Sequence, residues 1–134
     1  LENDPRFFGP QLLMDSEDHL IGEETALLAG AADIGIYEAA ELVRGYGGVA
    51  YPAHIDRDSF SVLSNLGLWD PAMGFSLAEL SPRCPPELRL RPDLAGLRFL
   101  IGCDAHYLDQ TPDAAQTMTL PERTRSAALK WLFF

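Results

Sequence analysis

The chain has 134 residues, with 20 acidic and 10 basic side chains, a net charge of -10, and apolar and charged fractions of 47% and 22%. This length suits one domain with a real core. The negative charge argues against a nucleic-acid partner and favours cations, and no apolar run approaches the roughly 18 residues a membrane helix needs.

Two cysteines, Cys84 and Cys103, are too few for a disulfide framework and form no CxxC pair, which fits a reducing, cytoplasmic compartment. The N-terminus lacks the basic and apolar regions of a secretory signal. The chain opens on Leu1-Glu2-Asn3-Asp4 without Met and ends on Trp131-Leu132-Phe133-Phe134, so both ends read as cut points in a larger protein.

Residues 1–22 mix aromatic, Gly, Pro and acidic side chains without periodicity and read as an irregular arm, with Phe7 and Phe8 as packing anchors. Residues 23–134 read as one domain, opening on a short helix over Glu23–Gly30. Ile36, Ala39, Ala40 and Val43 fall at i, i+3, i+4 and i+7, the spacing of one helix face, and Gly45 with Gly47-Gly48 stops that helix. Val49-Ala50-Tyr51, apolar and bounded by Gly and Pro, predicts a strand buried on both faces.

Ser59 is the expected N-cap of a helix carrying Phe60, Leu63 and Leu66, ended by Gly67. Phe75–Leu80 and Arg98–Ile101 read as further buried strands, separated by the breakers Pro82, Pro85 and Pro86. A weaker strand is expected near Gln116–Thr119. Thr119-Leu120-Pro121-Glu122 has capping-box spacing, and Ala127, Ala128, Trp131 and Leu132 give the last helix an apolar side. Helices alternating with short apolar strands predict an α/β fold of mostly parallel strands, a sheet or barrel.

Two of these strands deliver metal-capable side chains at their ends, where α/β proteins keep their chemistry. His54 follows the first, in Pro52-Ala53-His54; Asp104 and His106 follow Arg98–Ile101. Residues two apart on extended backbone project to the same side, so Asp104 and His106 can face one ion. A carboxylate with imidazoles suits zinc, manganese or iron. A solvated turn or cap is the alternative for the Asp-x-His pair.

GGVAYPAHIDR (residues 47–57), the strand end Ala78-Glu79-Leu80-Ser81, and IGCDAHYL (residues 101–108) together resemble the C-terminal half of a PHP-domain protein, the polymerase and histidinol phosphatase superfamily. The likeness runs from about residue 35 to the end. It implies part of a distorted (β/α)7 barrel whose strand ends carry a cluster of divalent transition metal ions that hydrolyses phosphate esters through metal-activated water. On this resemblance His54, Asp104 and His106 would be metal ligands. Cys103 stands where Ser is more usual, which alters a hydrogen bond beside the ligand rather than the ligand itself.

The family's N-terminal His-x-His motif is absent from these residues, and the third histidine, His19, reads as a surface residue. Arg57 has two readings, a donor fork for substrate phosphate or an ion pair with Asp56 or Asp58. Asp56 either orients a ligand or starts the next helix, and Glu79 faces the site only if its strand register allows. Tyr107 reads as a packing residue or a pocket wall. Cys103 has no paired base that would make it a nucleophile.

The expectation is a metal-dependent phosphoesterase acting on a small phosphorylated substrate, with this chain an incomplete fragment, inactive alone. The fragment is expected to self-associate or pair with a missing N-terminal half. The alternative is a non-catalytic PHP-like binding or assembly module with a degenerate metal site.

Overall fold

A computed structural model describes residues 1–112 and 117–133 and divides the chain into two units, Leu1–Ile34 and Gly35–Phe134. In the first, Asp4 caps a single turn of helix, α1 (Pro5–Phe8), accepting from the Arg6 amide. An antiparallel pair follows, β1 (Leu12–Met14) with β2 (Leu20–Glu23), and Glu2 bridges Ala26. The arm is therefore a small sheet rather than irregular chain.

The helix expected over Glu23–Gly30 does not form. The Gln11 amide donates to the carbonyls of Glu24 (2.9 Å) and Ala26 (2.6 Å) and its oxygen accepts from Leu28 N–H (2.9 Å). Asn3 N–H adds a bond to the Thr25 carbonyl. These long-range partners take the backbone groups a helix would have used.

In the second unit α2 (Ile36–Gly45) buries Ala40 and half-buries Ile36, Ala39 and Val43, the face its periodicity marked. Glu38 accepts from the Gly35 amide at its start. The next helix, α3 (Val62–Leu66), begins later than expected: Ser61, not Ser59, is its N-cap, accepting from Ser64 N–H at 3.1 Å, and Gly67 ends it with φ 78°. Phe60 lies outside the helix, 91% exposed.

Strands β3 (Leu77–Leu80) and β4 (Arg98–Ile101) pair in parallel, Leu77 with Arg98 through Leu80 with Ile101. The first starts two residues after the expected Phe75; the second has the expected bounds. Ala78 and Leu80 face the core with Ile55, Leu63, Trp69, Met73 and Leu94, and Phe99 and Ile101 pack against it. Leu77 and Glu79 alternate to the opposite face. Arg98 also points away from this core, its guanidinium 4.8 Å from the Trp131 ring centre in α4 (Arg125–Phe133).

Val49–Tyr51 forms no strand and is only half-buried to exposed. Pairing begins just beyond it, where Glu79 N–H donates to Pro52 and Glu79 accepts from Ile55 N–H, both at 2.9 Å. A regular parallel pair would use residue 54 in place of Ile55, so this segment carries one residue too many and its ladder stops. The final helix is capped by Thr124, whose hydroxyl accepts from Ala127 N–H at 3.1 Å, and not by Thr119. Of the weak strand expected near residues 116–119, Gln116 lies outside the described residues and the rest is not strand. The fold is mixed α/β with two small two-stranded sheets, one antiparallel and one parallel, and among the described residues no barrel closes. No helix there is long and apolar enough to cross a membrane.

Candidate functional site

Residues 52–55 and β4 flank β3 on opposite edges, so three neighbouring segments end at one margin of the second unit. His54 leaves the first and Asp104 and His106 leave the last. Gly102 N–H continues the ladder to the Leu80 carbonyl at 3.0 Å before the chain turns to Asp104. At their turning points His54 and Asp104 have φ of 32° and 49°, left-handed backbone that non-glycine residues seldom adopt. Such strain costs about 1–3 kcal/mol per residue and gathers at functional sites.

The side chains at this margin interact. Arg57 Nη1 pairs with Asp104 Oδ2 at 2.6 Å, and His106 Nε2 stands 3.5 Å from Asp104 Oδ1. Burial pushes the Asp104 carboxyl upward in pKa, but the Arg57 guanidinium, its hydrogen bond, and the charges of His106 and His54 outweigh this and hold it below the usual carboxylate range. Arg57 thus pairs with neither sequence neighbour, Asp56 or Asp58, but with an aspartate 47 positions on.

Asp56 ties this loop to the end of β3, accepting from Ser81 N–H at 2.7 Å and from the Ser81 hydroxyl. Burial opposes its ionisation, yet the two Ser81 bonds keep its pKa lowered. It does not cap α3; Ser61 does, and the Ser61 hydroxyl also donates to the Arg57 carbonyl at 2.7 Å. Ser61, unremarked in the sequence, and Ser81, noted there only as a strand end, therefore hold the loop between His54 and Arg57. Hydroxyls four and 25 positions from their partners leave no periodic signal.

Glu79 is half-buried on the face opposite the core, and its carboxyl stands over Gly102, where an added Cβ would collide with it. His106 is exposed, its amide donating to Gln110 Oε1 at 2.8 Å. Cys103 is half-buried and, with Arg57, Ser81, Arg83 and Gln110, lines a cavity of about 490 Å³. Tyr107 is exposed and lines no part of that cavity. His19, as expected, lies on the surface, 3.1 Å from Asp15.

The donors are of the kind that binds a divalent transition ion, and one detail fits that role: His54 Nδ1 is buried with no hydrogen-bond partner among the described residues. Yet among the described residues no three His, Cys, Asp or Glu side chains are gathered to hold an ion, and Asp104 has given one oxygen to Arg57. No protein-family model, curated protein or solved structure matches the chain.

Proposed function

We propose that this chain is the C-terminal part of a PHP-type, metal-dependent phosphoesterase, contributing parallel strands to a distorted (β/α)7 barrel. One observation carries the reading: His54 and Asp104 end segments flanking β3, and both hold strained left-handed backbone at that margin. His54, Asp104 and His106 would hold the ion, zinc, manganese or iron, with further ligands from a His-x-His element that these residues lack. When bound, such an ion supplies Lewis acidity and a deprotonated water near neutral pH. Arg57 and Arg83 supply positive charge to the adjoining cavity, where a substrate phosphate accepts from their donor forks.

Ser81 and Asp56 fix the loop that presents His54, and Glu79 adds a carboxylate beside Gly102. The substrate is a small phosphorylated molecule, since a net charge of -10 disfavours a long polyanion. Apolar side chains left exposed, Leu68 and Leu90 among them, favour self-association or a further barrel half as partner. A cytoplasmic setting accords with the two free thiols.

Metal analysis and a phosphate-ester panel on the full-length protein test the reading. Bound transition metal and hydrolysis, both lost in His54→Ala and Asp104→Asn, are expected. The Arg57–Asp104 pair favours one other reading, a non-catalytic PHP-like module whose carboxylate answers an arginine instead of an ion. Protein that binds no transition metal and hydrolyses nothing on the panel would end the enzyme proposal.

A further inference from the structure

Extending the cavity part of the reading above, and resting on that part alone, we propose that the 490 Å³ cavity binds an organic phosphomonoester without any metal. Arg57 and Arg83 hold the phosphate, and Pro82 and Pro112 receive an apolar body. Charge sets this cavity apart. The chain carries 20 acidic side chains against 10 basic, yet two arginines and, among the described residues, no carboxylate line this wall. Two other cavities mix the signs: one has Asp56 and Asp58 with Arg57 and Arg91, the other Glu122 with Lys130. Like charges facing one space repel each other, and a bound anion offsets that cost.

The two guanidiniums come from different segments and are held differently. Asp104 pairs with Arg57 Nη1 at 2.6 Å without itself lining the cavity, so it steadies the group and leaves further N–H donors for a ligand. Arg83 makes no ion pair among the described residues, and its amide donates to the Ser81 hydroxyl at 3.2 Å, which anchors its backbone beside the cavity. Gln110 adds a neutral amide, oriented by its oxygen accepting from His106 N–H at 2.8 Å. Two donor forks from separate segments suit a tetrahedral anion with three free oxygens better than a planar carboxylate with two. The volume lies within the about 300–1,000 Å³ of small-molecule sites, more than a bare phosphate fills, and the two prolines give the remainder an apolar wall.

Cys103 lines this cavity and Cys84, also half-buried, does not, so the two thiols report on occupancy with an internal reference. Alkylation of each by iodoacetamide, followed by mass spectrometry on the 134-residue chain in EDTA, tests the site with phenyl phosphate, inorganic phosphate and benzoate as probes. Phenyl phosphate at about four times its Kd is expected to slow Cys103 about fivefold, the occupancy factor 1 + [L]/Kd, and to leave Cys84 unchanged. Arg83→Gln, at an exposed position outside the Arg57–Asp104 pair, is expected to weaken that protection about tenfold, and Arg83→Lys less. Unprotected Cys103 in the parent, or equal protection in Arg83→Gln, overturns the site. Benzoate protecting as well as phenyl phosphate overturns the phosphate assignment, and inorganic phosphate protecting as well overturns the apolar body. Because EDTA removes metal from the measurement, any of these failures leaves the metal-dependent activity to its own test, and loss of that activity leaves the anion site standing.

Discussion

The carboxyl group of Glu79 in β3 occupies the space that a side chain at position 102, just past β4, would need. The glycine lets a charged group from one strand lie across the end of the next, which is the close approach that glycine alone permits. Gly102→Ala is expected to swing Glu79 aside at a cost of about 1 kcal/mol, modest because the colliding atoms end a flexible side chain. Urea unfolding of Gly102→Ala, Glu79→Ala and the double variant checks it: the alanine at 102 should cost measurably less once Glu79 is gone. An equal cost in both backgrounds would refute the contact.

Asp93 makes a second, pH-dependent prediction. Arg91 grips it through Nε (3.0 Å) and Nη2 (2.7 Å), and the Trp69 amide donates to it at 2.9 Å. The Arg91 bonds first, then the Trp69 bond, lower its pKa to about 2. A depressed folded value means the stabilisation is complete above the unfolded pKa of about 3.9 and is lost as pH falls toward 2. After discounting for solvent screening it amounts to about 1 kcal/mol. Denaturant midpoints for the parent and Asp93→Asn should converge between pH 4 and pH 2; a gap unchanged across about that interval contradicts the assignment.

What the sequence discloses depends on how local its cause is. The α2 face and the limits of β4 rest on neighbours within one or two turns, and both are readable from Ile36, Ala39, Ala40 and Val43 and from Arg98–Ile101. The segment after Glu23 misleads because helix-compatible residues meet Gln11, whose side chain serves them from 13 to 17 positions away. At the site, the Asp104 and His106 spacing does bring the two side chains to 3.5 Å. Arg57 is legible as a cation beside His54, but its partner is set by the order of segments across β3, which no local pattern carries.

The Asp56–Ser81 connection predicts a loss of stability in either single variant. Ser81→Ala removes the hydroxyl donor but keeps the amide bond, and a hydrogen bond to a charged group contributes about 1.5–3 kcal/mol. Asp56→Ala removes the acceptor of both bonds and should cost more. If the double variant is no more stable than the sum of the singles allows, measured by a thermodynamic cycle, the two groups do not interact as described.

In the first unit, Gln11 does with one side chain what a helix would otherwise do along residues 24 to 28. Its nitrogen serves two carbonyls and its oxygen one amide, while its own carbonyl accepts from Glu24 N–H at 2.8 Å. Gln11→Ala is expected to expose the Leu28 amide to rapid hydrogen exchange and to destabilise this unit by about 1–3 kcal/mol, the cost of several unmet backbone bonds. Gln11→Glu separates the two halves of the interaction. Its carboxylate still accepts from Leu28 but faces the Glu24 and Ala26 carbonyls with no proton to give, so Leu28 protection should survive better than in Gln11→Ala while stability still falls. Leu28 exchanging equally fast in the parent and in Gln11→Ala would show that the side chain does not hold this turn.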